Sequence, residues 1–190
     1  METYSHSFFT WALVKHGVGA GRAAGIAGVA GAMLPDVPSI AGTAYYIGVP
    51  FLREGWSSMD SEKVFNAVYI SGPFGATGVA LHSAVLPAAL LISYILLKLG
   101  HRDRRRIFLW FLIGWLGHTV VDFLTHADNP RPLFWPLSSW EWYSPVSYFD
   151  PLHHGREFFL ISHALIFVVM AVLLVRRTRR RGKGPKGENP

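Results

Sequence analysis

Residues 107–126 are "IFLWFLIGWLGHTVVDFLTH", a run both apolar and interrupted by ionisable side chains. Its first half is as apolar as lipid, yet His118, Asp122 and His126 follow at steps of four. In a helix that step stacks the three side chains on one face. A run of about 20 such residues is long enough to cross ~30 Å of hydrocarbon. A histidine or carboxylate left alone there costs several kcal/mol, so the rest of the chain should supply its partners.

Composition agrees with a membrane setting. Of 190 residues 51% are hydrophobic and 16% charged, and the mean hydropathy is +0.27, a balance that suits a small integral membrane protein. Without cysteine, disulfides and thiolate metal sites are excluded. The formal charge of +6 is concentrated in "HRDRRR" (101–106) and "RRTRRRGKGPK" (176–186), each directly after an apolar run. Basic residues in that position are topology signals that place both clusters in the cytoplasm, and a nucleic-acid partner is not expected. No cleavable signal peptide is expected either, because Glu2 and no cation precede the first apolar residues.

Three membrane spans are predicted, at 79–99, 107–126 and 158–175. Loops 35–78 and 127–157 then lie on the far side, carrying the interfacial aromatics Trp56, Trp135, Trp140, Trp142 and Tyr143. The glycines in "KHGVGAGR" (15–22) break residues 3–34 into a hairpin of two short helices, 3–16 and 22–34, with Lys15 and Arg22 snorkelling at its tip. The small residues of "AAGIAGVAGAM" permit close helix approach. The expectation is an all-α membrane-embedded bundle: the hairpin plus three spans, a single domain over 1–176, and a basic disordered tail over 177–190.

On this topology the candidate ligands converge at the extracytoplasmic end. His6 and Asp36 sit at the two ends of the hairpin, and His82 opens the next span. His118, Asp122 and His126 climb the following one, and His153 and Glu157 begin the last. A set of histidines and carboxylates without cysteine suits zinc, with manganese or iron as alternatives. Asp36 and Asp122 are also candidates to orient or deprotonate a water. Arg131 and Arg156 are candidates to bind a substrate phosphate. A lone histidine is ordinarily a packing or capping residue, and the convergence of several inside apolar sequence is what favours ligation.

The order His6, "LPD" (34–36), "LHS" (81–83), "GHTVVDFLTH" (117–126), "WPLS" (135–138) and "DPLHHGREF" (150–158) resembles a bacterial inner-membrane family of metal-dependent hydrolases. That family is in turn similar to the zinc-dependent phospholipase C and nuclease superfamily. The resemblance implies that Asp36, His82, His118 and Asp122 surround one metal, with Asp122 bridging to another. It implies a second metal on His126, His153 and Glu157, and a third contacted by His6. The superfamily's N-terminal Trp has no counterpart in this chain, which starts Met-Glu-Thr-Tyr.

The function expected is hydrolysis of a phosphoester in a phospholipid or lipid-linked phosphate, by a multi-pass protein of the bacterial inner membrane with membrane lipids as its surroundings. Two other readings stay open. One is a non-catalytic scaffold braced by a structural metal. The other is a metal or ion transporter, for which the purely apolar "IFLWFLIGW" and "IFVVMAVLLV" offer no path.

Overall fold

The computed structural model describes residues 1–55 and 60–181, all of its regular structure being helical. Helix α1 (Thr3–Trp11) widens into a π-helical turn at Ala12–Gly17, and the chain reverses into α2 (Arg22–Met33). The reversal uses Gly19 and Gly21 at φ +73° and +91°, a left-handed backbone that only glycine adopts without strain. The expected hairpin is therefore present.

Beyond α2 the chain differs from the expectation of a long loop over 35–78. A 3-10 turn (Leu34–Asp36), α3 (Val37–Thr43), a π-helical turn (Ala44–Gly48) and α4 (Val49–Glu54) continue α2, so that Arg22–Arg53 is one helical run long and apolar enough to cross a membrane. Its prolines do not stop the helix. They fall in the first turn of successive segments, where a missing N–H costs nothing. Helix α5 (Ser61–Phe65), with its π-helical extension Asn66–Ile70, and α6 (Gly72–Leu81) form a pair bent by 43° that together reach spanning length. Trp56 lies outside the described residues.

The span expected at 79–99 is not continuous. Helix α6 stops at Leu81, and α7 (Val85–Leu96) has 12 residues, about 18 Å and too short for the hydrocarbon layer. The break has a cause. Ser83 turns its hydroxyl to the carbonyls of Leu133 and Trp135 and accepts from Val85 N–H, while Ala84 N–H donates to Leu133. Those bonds pull residues 82–84 out of helical register.

Helices α8 (Ile107–Thr125) and α9 (Gly155–Arg181) match the other two expected spans. Asp103, the lone acid of the first basic cluster, accepts from the N–H groups of Ile107, Phe108 and Leu109 and so fixes the start of α8. Helix α9 continues through the boundary expected at residue 176, and the tail from 182 onward, expected to be disordered, lies outside the described residues.

Helices α2 and α8 form the centre of the bundle and run parallel. Gly31 faces the Phe111 carbonyl and Gly114 faces that of Gly28, and a Cβ at either position would collide with backbone. The small residues of α2 thus let two main chains touch. Because both helices begin beside arginines (Arg22, Arg106) and run the same way, Asp36 and Asp122 arrive together, about 21 to 24 Å from the cationic end. Among the described residues the spans thus have a cationic end and a His/Asp end.

Candidate metal centre

Asp122 is the hub. Its Oδ1 accepts from His6 Nε2 at 2.8 Å and from the Met1 amino group at 2.7 Å. Its Oδ2 faces His118 Nε2 at 3.0 Å, His82 Nε2 at 3.6 Å and His126 Nε2 at 4.0 Å. Asp36 is divided in the same way. One oxygen accepts from the Thr3 hydroxyl at 2.5 Å, and the other faces His82 at 3.5 Å and His118 at 3.7 Å.

The histidines are oriented by main-chain carbonyls. His82 Nδ1 donates to Gly78, His118 Nδ1 to Ala32 and His126 Nδ1 to Asp122, each at 2.6 to 2.8 Å. A carbonyl only accepts, so the hydrogen must be on Nδ1, and in the neutral ring Nε2 is left as a lone pair. With the rings neutral, three lone pairs and two carboxylates converge with too few donors between them. Without a cation, Asp122 and Asp36 overcome the cost of burial and hold a proton on buried His82, raising its pKa to about 9. His118 Nε2, in a residue only 1% exposed, is the one buried side-chain polar atom among the described residues without a hydrogen-bond partner.

That is an arrangement for a cation. One ligand atom each from Asp36, His82, His118 and Asp122 lie within 4.8 Å of one another. In a tetrahedral site with bonds of ~2.0–2.1 Å the ligands stand about 3.4 Å apart. The separations of 3.0 to 3.7 Å among these carboxylate and imidazole atoms fit that spacing. Donation of the second ring nitrogen to a carbonyl is also the usual way a metal-binding histidine is held.

Neighbouring contacts fix each piece. Trp115 Nε1 donates to the Leu81 carbonyl at 2.6 Å and so holds the end of α6 against α8. His6 stacks on His118 with ring centroids 3.9 Å apart, and its bond to Asp122 makes it a support for that carboxylate. Burial pushes the His126 ring down to about 4, which keeps it neutral at ordinary pH.

The cluster opens into a cavity of about 690 Å³. Asp36, His82, Asp122 and His126 line it, together with the apolar Ile40, Phe65 and Phe149 among others. Arg131 lines it too, with Nη1 donating to the Tyr69 carbonyl. Burial lowers the Arg131 pKa below its usual value, and burial together with the Asp122 charge pushes the Tyr148 phenol up to about 12. The lining therefore offers a guanidinium and a protonated hydroxyl.

Other expected site residues lie elsewhere. His153 hydrogen-bonds Asp150 at 2.5 Å and approaches Asp128 at 3.9 Å, forming a second, more exposed group that could hold a metal. Its Asp150 bond raises the His153 pKa above 6.5. Glu157 and Arg156 are exposed at the start of α9 and are in neither group. Among the described residues, His126, His153 and Glu157 do not form one of the groups able to hold a metal.

Asp128, Asp150 and Tyr148 escaped the sequence reading. "HADNP" and "FDPLH" set His and Asp two and three residues apart rather than four, and on irregular chain such spacing fixes no common face. No family model matches the chain, and neither curated proteins nor solved structures return a match.

Proposed function

We propose that this protein is a membrane-embedded metal-dependent hydrolase acting on a phosphoester at lipid-headgroup depth. The observation that carries the reading is the acceptor-rich cluster of Asp36, His82, His118 and Asp122 with the orphaned His118 Nε2, set beside an open cavity. These four residues would hold the metal, with zinc favoured by the His/Asp set and spacing and manganese or iron as alternatives. A divalent metal there lowers the pKa of water and polarises a phosphoryl oxygen.

The chain's own groups have separate tasks. With Asp36 Oδ1 on the metal, the second oxygen, Oδ2, which accepts from the Thr3 hydroxyl, would orient the attacking water and accept its proton. The Arg131 guanidinium, held by Tyr69, binds a non-bridging phosphate oxygen, and the Tyr148 hydroxyl donates to the same group. Ile40, Phe65 and Phe149 take apolar parts of the substrate. Asp122 lies one turn from the end of α8, about 5 Å along the axis, which suits a substrate whose phosphate is at the interface and whose tail is in lipid.

The cavity beside the ligands favours catalysis over a scaffold, since it gives a water access to the metal as a fifth ligand, an expansion that catalytic zinc sites undergo. Against transport, α8 between Ile107 and Gly117 carries no ionisable residue. We assign the cationic end to the cytoplasm by the charge rule, which turns the cavity to the extracytoplasmic face of a bacterial inner membrane.

The test is release of phosphate or a phosphorylated headgroup from phosphatidic acid, phosphatidylglycerol and a polyprenyl pyrophosphate by the zinc-loaded protein. The expected result is turnover of at least one substrate, lost by ~100-fold or more in Asp36→Asn and reduced ~10-fold or more in Arg131→Lys. Metal-loaded protein inert on all three would favour the scaffold.

A further inference from the structure

At the opposite end from the metal centre, the π-helical turn Ala12–Gly17 and the last turns of α9 enclose a cavity of about 730 Å³. Lys15, Arg176 and Arg177 form its charged mouth, and Met170, Leu173 and Leu174 its apolar wall. We propose that this cleft binds one anionic phospholipid, its phosphate between the three cations and an acyl chain along α9.

Charge is the first argument. Among the described residues no carboxylate pairs with Lys15, Arg176 or Arg177, and α9 has no acid after Glu157. Three like charges at one mouth repel unless an anion joins them. The Lys15 ammonium is held in place 4.4 Å over the Trp11 ring, so part of its ordering cost is met before a ligand arrives.

Shape is the second. The cations cap an apolar wall on a helix of 25 membrane-compatible residues, of whose apolar window only 6% is buried. Helix α9 is held near its start, where Tyr4 hydrogen-bonds His163 at 2.6 Å. From His163 to Arg176 it runs about 20 Å towards the cleft. Cations beside an apolar helix face that the protein leaves uncovered match a lipid, with its charged head and apolar tail, and not a free ion. Basic pockets between spans at the cytoplasmic face commonly hold anionic headgroups.

The test is native mass spectrometry of the full chain released from mixed phosphatidylglycerol–phosphatidylcholine micelles, counting lipid retained per chain. One phosphatidylglycerol should be retained, with occupancy about 30-fold lower in Arg176→Gln/Arg177→Gln, as expected for two basic residues contributing roughly fivefold each. Arg53→Gln/Lys63→Gln removes the same charge elsewhere and should leave occupancy unchanged. Equal retention of the two lipids, or equal loss in the two double variants, would overturn the proposal. So would displacement of the lipid by millimolar inorganic phosphate, which would mark a simple oxyanion site, or a second copy of the chain in place of lipid.

Discussion

His118 gives one ring nitrogen to the Ala32 carbonyl and aims the other at Asp36 and Asp122, so at the scale of residues this site is defined by a surplus of acceptors. Removing a ligand and removing a ligand's support should therefore differ. His118→Ala should lower zinc affinity by more than ~100-fold, while Thr3→Val, which only frees one oxygen of Asp36, should lower it about 10-fold, the range for outer contacts. Competition with a chromophoric chelator measures both. Protons supply a second test. The His126 ring titrates at about 4 in the fold and near 6.5 when unfolded. Between those values the folded protein binds fewer protons there, so this residue makes stability fall as pH drops through the window. Thermal unfolding of metal-free protein should show that slope reduced by up to ~one proton in His126→Asn. An unchanged slope would place the ring in water.

At the scale of elements, the contact of α2 with α8 sets the geometry. Gly31→Ala drives a Cβ into the Phe111 carbonyl, whereas Gly117, on the same α8, has open space around it. Gly31→Ala should cost about 3 kcal/mol or more through overpacking, and Gly117→Ala should be neutral or stabilising by up to ~1 kcal/mol. Denaturation in detergent separates them. Asp103→Ala should cost ~1–2 kcal/mol, since three N–H donors at the start of α8 lose their acceptor. The helices were legible where periodicity and length agreed, as in 107–126 and 158–175. They were misread where local signals pointed the other way. The expected loop 35–78 holds helices whose prolines at 35, 38 and 50 occupy first turns, where they do not stop the run. "ALHSAVLP" looks continuous but breaks at Ser83, whose partners are about 50 residues away in sequence. The candidate ligands obeyed the same rule. Those on α2, α6 and α8 meet because helix direction brings them to one end. The His153–Glu157 pair stays apart from them, because the irregular segment before α9 decides where that helix begins.

At the scale of the whole molecule, charge and chemistry are separated. Lys15, Arg22, Arg104, Arg105, Arg176 and Arg177 gather at one end of the bundle and the His/Asp cluster at the other. The chain contains no cysteine, so single cysteines can report on side directly. Leu137→Cys, on the exposed segment near the cavity end, should react with a membrane-impermeant maleimide in intact cells. His101→Cys should react only after permeabilisation. The reverse pattern would invert the topology and put the cavity in the cytoplasm.

A cation at Asp36, His82, His118 and Asp122 underlies every role proposed for this site, and elemental analysis of detergent-purified protein detects it. At least one zinc-class ion per chain is expected, absent from Asp122→Asn while its far-ultraviolet dichroism stays that of the wild type. Wild-type protein that holds no metal after equilibration with zinc, manganese or iron in chelator-free buffer would contradict it, leaving His118 and Asp122 as a protonated hydrogen-bonded pair.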